Sequence, residues 1–237
     1  MIKALKEETE KMLGLRITKA AASVPRFPAI YDEDLYDAFE YAGIDYLQIK
    51  WGENGPAWGF LTYDTLAALA GHNLSLCADY TNGNSCHDKD MTEDMDVYLL
   101  VTYTQADLKV SNVVVHGHDL YHTHDETSLY LGLGNSSSGE QSTDGAYFEE
   151  VMDKLVVPLT QRYSPTKIIY VGDCAHDEVF RSFADWRFRS YFEERNEKMP
   201  EIIDSDAIYT QAKGVAELAR RRLYLPLPIK PYSLKPR

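Results

Sequence analysis

Basic residues are few in this chain: 24 lysines and arginines stand against 37 aspartates and glutamates, for a formal charge of −13. So negative a surface repels phosphate backbones and anionic lipids, which argues against nucleic acid and membrane surfaces as partners. The one basic concentration, Arg220-Arg221-Arg222 with Lys230, Lys235 and Arg237, reads as a solvated helix end, where cations complement the helix dipole. Cysteine is scarce too. Cys77, Cys86 and Cys174 do not make a disulfide framework, although Cys77 and Cys86 flank a turn-rich loop and would pair in an oxidising compartment. Three reduced thiols in a cytoplasmic protein are the expectation. No apolar run reaches the roughly 18–20 residues that cross a bilayer. The charged, amphipathic opening, residues 1–8, does not read as a signal peptide. No short-period repeat occurs.

What is present is ordinary for a globular protein: 44% hydrophobic and 12% aromatic residues argue against wholesale disorder. A chain of 237 residues has room for one large domain or two small lobes. Ile2, Leu5, Thr9 and Met12 share a helical face that Gly14 stops. Ile17 to Val24, ended by Pro25, suits a buried strand. Asp32 is placed to cap a helix carrying Leu35, Ala38, Phe39 and Ala42, closed by Gly43. A strand over 44–49 and a short helix over 65–70 follow.

The polar stretch 77–96, with its Asn82-Gly83 turn signal, reads as a linker between a partial first lobe (1–76) and a second lobe (97–225). A Pro-rich tail occupies 226–237. In the second lobe, strands are expected over 97–101, 108–115 and 121–133, then a Ser/Gly loop over 134–145. An amphipathic helix carries Phe148, Val151, Met152, Leu155 and Val156. A strand over 168–171, a helix from Val179 and a last helix from Ile208 to Leu223 complete it. Three strands followed by alternating elements imply a mixed sheet with helices on its faces, an α/β fold.

Several strings, in order, resemble the ATPase domain of DnaK-type heat-shock chaperones, in the actin-like superfamily with its ribonuclease H-like fold. Lys3-Ala4-Leu5-Lys6-Glu7-Glu8 through Leu13-Gly14, then Ile17-Thr18-Lys19-Ala20 to Val24-Pro25, looks like the family's helix, Leu-Gly, and strand ending in Val-Pro. Thr65-Leu66-Ala67-Ala68-Leu69-Ala70-Gly71 is similar to its connecting helix, Tyr170-Val171-Gly172-Asp173 to its adenosine motif, and Ala212-Lys213-Gly214-Val215-Ala216 to its final helix. The resemblance implies one near-complete lobe and a partial first lobe. It also implies an open sheet edge in the first lobe, covered by the chain's own tail, a second copy or a protein partner.

The departures from the family pattern predict lost catalysis. Two Gly-rich hairpins should hold the ATP phosphates, because backbone N–H groups must approach without a Cβ in the way. The first would belong to strands preceding Met1. The second falls at 102–107, where Thr102 replaces the acidic residue and Thr104-Gln105-Ala106 replaces the glycines. The adenosine motif keeps Gly172 and puts Asp173 beside it. Gly172 and Asp206 are therefore the residues left for a weak residual ATP or ADP site. The expectation is a noncatalytic protein with a binding or structural role, and ATPase activity absent or very weak.

A separate constellation is His116-Gly117-His118-Asp119 followed by His122-Thr123-His124-Asp125-Glu126. Histidines two apart on a strand end can share a divalent metal, so His116, His118, His122 and His124 carry the alternative of a metal-dependent hydrolase. The solvated surface of a β-hairpin is the plainer reading of the same residues. Gly132-Leu133-Gly134 with the following serines lacks the Lys of a P-loop and reads as a flexible connector. Cys174 precedes a helix, but Asp173 beside it opposes a thiolate.

Overall fold

The computed structural model describes residues 1–25, 30–47, 62–74, 95–116, 119–136, 145–160 and 163–222. They fall into two compact units: residues up to Leu74 together with those from Gln211 onward, and residues 95–210. The last helix thus joins the first unit, whereas the sequence suggested a second lobe running on to 225. Part of the reason is Gly214, where an added Cβ would overlap the Ala67 carbonyl and lie 2.7 Å from the Gly71 nitrogen. Only a glycine lets the two helix backbones approach this closely.

In the first unit, α1 (Ile2–Leu13) ends at Gly14, whose φ of 64° is left-handed as the Leu-Gly pair predicts. No residue of α1 is buried. The helix is held by Ile2, which packs against the small core around Phe39, and by polar ties: Lys6 Nζ donates to the carbonyls of Ala42 (3.0 Å) and Gly43 (3.2 Å). Those carbonyls follow α2 (Asp32–Tyr41), so the ammonium sits where the helix dipole favours a cation. The cap of α2 lies one residue earlier than expected, at Tyr31, whose N–H donates to Asp34 Oδ2 at 2.8 Å. Phe39, Ala42 and Ile44 form a small core with Ala20, Ala22 and Tyr46 against it.

Where strands are expected over 17–24 and 44–49, the described residues form a short parallel pair, β1 (Lys19–Ala20) with β2 (Asp45–Tyr46); residues 48 and 49 lie outside the described residues. Val24 adds an isolated bridge to Tyr63 at the head of α3 (Asp64–Gly71). In the final helix, α6 (Thr210–Arg222), Arg220 and Arg221 both donate to the Glu217 carboxylate, at 2.7–2.8 Å. Part of the basic run is thereby neutralised within its own helix. Of the expected linker over 77–96, residues 77–94 lie outside the described residues, as does the tail over 226–237, and β3 already begins at Asp96.

The second unit is a five-stranded mixed sheet. β3 (Asp96–Tyr103), β4 (Leu108–His116) and β5 (Asp119–Ser128) run antiparallel, and β6 (Lys167–Val171) and β7 (Glu201–Ile203) add in parallel beside β3. The order across the sheet is β5-β4-β3-β6-β7. β5 begins and ends earlier than the expected 121–133, and β7 was not expected at all. α4 (Gly145–Val156) and α5 (Glu178–Glu194) connect the parallel strands. Leu99, Val101, Tyr103, Val110, Ile168 and Tyr170 alternate along their strands and pack with Val151, Leu155, Phe180 and Phe188 from these helices. The intervening residues Leu100, Ile169 and Val171 are buried as well, so the adjacent strands β3 and β6 are apolar on both faces, as expected of strands flanked by helices. Among the described residues no helix is long and apolar enough to cross a membrane.

Candidate functional site

The tight turn joining β3 to β4 is where the sequence placed a lost phosphate hairpin, and all four of its N–H groups are occupied. The Thr104 N–H donates to the Asp107 carbonyl at 3.0 Å, closing the hairpin. Thr104 Oγ1 accepts from the N–H of Ala106 (3.1 Å) and of Asp107 (3.0 Å) and is bonded to the Asp107 carboxylate. The Gln105 N–H donates to Asp173 Oδ1 at 3.2 Å, across 68 residues of sequence. A run of turn N–H groups is an anion-binding concavity. Here side-chain oxygens from Thr104 and Asp173 fill it.

The far side of the turn is clamped by the segment after β5. Leu133 and Gly134 donate their N–H groups to the carbonyls of Thr104 (2.9 Å) and Gln105 (2.8 Å). A Cβ at Gly132 would overlap the Ala106 and Asp107 backbone, and one at Gly134 would come within 2.7 Å of the Gln105 oxygen. These glycines, read from sequence as a flexible connector, are there for close approach. Leu133–Ser136 forms a helical turn instead.

The loop after β6 delivers Asp173. Gly172 has φ 112°, a conformation L side chains rarely adopt, and an added Cβ would overlap the Tyr103 carbonyl. That carbonyl accepts from the Cys174 N–H at 3.2 Å, and the Gly172 N–H donates to the Ala207 carbonyl at 3.1 Å. Backbone on both sides of Asp173 is therefore fixed. Cys174 is buried, and its thiol is pushed up to about 11, first by burial and then by the charge of Asp173 and a hydrogen bond to it. A thiol so held is protonated at neutral pH and is no nucleophile.

Gly172 and Asp206, the pair left for a residual adenosine site, come onto neighbouring loops through the Gly172–Ala207 bond. Asp206 has φ 55°, and its carbonyl accepts from the N–H of Tyr209 (2.7 Å) and Thr210 (3.0 Å). Its backbone makes the turn into α6.

The histidine cluster lies on the β4–β5 hairpin, as expected. His116 is the last residue of β4, opposite Asp119, and His118 lies outside the described residues. His122 pairs with Val113 and His124 with Asn112, with a register shift between those two partners. The shift breaks the two-residue alternation that would put His122 and His124 at equivalent positions. His124 Nε2 lies 3.1 Å from Glu126 Oε1, and Lys154 Nζ donates to the other oxygen of Glu126 at 3.1 Å. The lysine holds the Glu126 carboxyl below its ordinary range, and a fixed ammonium there repels a metal cation. Among the described residues no group of three or more His, Cys, Asp or Glu is disposed to hold a metal.

Sequence reasoning set Asp173 against an incoming phosphate by charge and did not foresee that it occupies a turn amide. The local signal was the Gly172-Asp173 pair; its partner is set by the fold. No protein-family model matches this chain, and no curated protein does.

Proposed function

We propose that this chain is a noncatalytic relative of the DnaK-type ATPase domain, in the actin-like superfamily, with a binding or structural role. The observation that carries the reading is the bond from the Gln105 N–H to Asp173. A nucleotide phosphate at this turn would have to displace a carboxylate and then meet its negative charge, and each charge-assisted bond lost to the phosphate costs about 1.5–3 kcal/mol. Thr102, at the position of the family's acidic residue, supplies no carboxylate to orient water or a metal-bound water. On this reading neither ATP or ADP nor a divalent metal has a working role.

The arrangement of residues 95–210 supports the kinship. Three antiparallel strands followed by parallel strands reached through helices make a mixed α/β sheet compatible with the lobe that the resemblance implies, with β7 an addition to it. The resemblance also calls for an open sheet edge in the first unit, and such an edge is a template for another chain. The occupant on this reading is a protein partner or a second copy.

A thermal-shift titration with ATP and ADP plus Mg²⁺ tests the proposal. It predicts no change in melting temperature at nucleotide concentrations on the order of 1 mM. A saturable rise would overturn it in favour of a residual nucleotide binder using Gly172 and Asp206.

A further inference from the structure

We infer that Asp173 is the resident ligand of the β3–β4 turn: its carboxylate takes the place of an external anion and ties the turn to the loop after β6. This rests on the reading above for the location of the site, but it concerns what holds the turn in the protein as it stands. The turn meets three of its own four N–H groups: Thr104 through the Asp107 carbonyl, Ala106 and Asp107 through Thr104 Oγ1. Gln105 is the exception. Its N–H is met from a distant loop.

The other end of the tie is equally constrained. Gly172 and Cys174 fix the backbone on either side of Asp173 through the carbonyls of Ala207 and Tyr103. The close contact of Gly172 with Tyr103 holds the whole loop against the end of β3. Water would satisfy an exposed N–H equally well in hydrogen-bond terms. What a carboxylate adds is a charge-assisted bond and a cross-link between two loops. Removing it would leave a turn N–H without its anion beside Thr104, and a small oxyanion would then have the donor that Asp173 now uses.

The test uses the full chain, with Asp173→Ala and Asp173→Asn. Amide exchange at Gln105 is followed by NMR, and the melting temperature by a thermal scan, in inorganic phosphate on the order of 10 mM and in chloride of matched ionic strength. In the wild type the Gln105 amide is expected to be protected and indifferent to phosphate. Asp173→Ala is expected to speed its exchange, to lower the melting temperature by about 2–4 °C and to make both respond to phosphate. Asp173→Asn keeps an acceptor without the charge, so intermediate protection is expected; it carries the comparison if the alanine variant does not fold. Equal Gln105 exchange in the wild type and both variants, or an equal phosphate response in all three, overturns the inference. The wild-type titration with Mg²⁺-ATP decides the functional reading independently, since it uses neither variant.

Discussion

Gly172 lies so close to the carbonyl of Tyr103 that a Cβ at position 172 would overlap its oxygen, while the same oxygen accepts the Cys174 N–H at 3.2 Å. The glycine also holds a φ of 112°, so a side chain there is disfavoured by both backbone and neighbour. Gly172→Ala is expected to destabilise the protein by about 2–4 kcal/mol, combining backbone strain with overpacking. Urea unfolding measures this through the midpoint at unchanged slope. A loss within about 0.5 kcal/mol, the range of an ordinary surface substitution, would contradict the described loop.

Glu126 gives the acid limb of stability a specific contributor. The hydrogen bond from Lys154, then that from His124, lowers its carboxyl from the ordinary value of 4.5 despite partial burial. A group depressed in the folded state stabilises the fold above its unfolded value, and that contribution is lost as pH falls through the folded value. The effect is therefore present at neutral pH and disappears below 4.5. Glu126→Gln should lower stability at pH 7 and flatten its decline with acid. Parallel unfolding curves for wild type and variant from neutral to acid pH would count against the Lys154–Glu126 pair.

Cys174 should be chemically quiet. Its thiol is raised to about 11 by burial and by Asp173, so the thiolate fraction at neutral pH is very small. Alkylation mapped by mass spectrometry is expected to leave Cys174 unmodified under native conditions and to label it fully in denaturant. Rapid native labelling at pH 7 would mean that the loop after β6 opens or that the thiol is ionised.

Some of this was legible in the sequence for physical reasons that can be named. Gly14 and Gly43 take the left-handed conformations that end their helices, and no other residue type does so as readily. The near-continuous apolar run of β3 reads as a strand buried on both faces, which it is. β7 escaped notice because Glu201–Ile203 is too short to show a period. Residues 17–24 have strand-like composition, yet among the described residues only Lys19 and Ala20 pair in a ladder, with Val24 adding an isolated bridge. Pairing depends on the neighbour, and the neighbour is not local information.

The candidate site divides in the same way. Thr104-Gln105-Ala106, a turn without glycine, could be read directly from the sequence. That Thr104 would cap two of its N–H groups is a local property of threonine in turns. That Asp173 would supply the remaining acceptor depends on the pairing of β3 with β6, from Tyr98 with Lys167 to Thr102 with Val171, which brings the two loops to one end of the sheet. For Gly132 and Gly134, sequence showed the missing side chains but not the backbone that takes their place.

On the proposed reading Asp173 already occupies the anion position of the β3–β4 turn, and calorimetric titration of the intact protein with Mg²⁺-ADP tests that directly. The reading predicts no saturable heat at ligand concentrations on the order of 1 mM. Stoichiometric binding, with loss of the Gln105–Asp173 bond in the bound state, would contradict it.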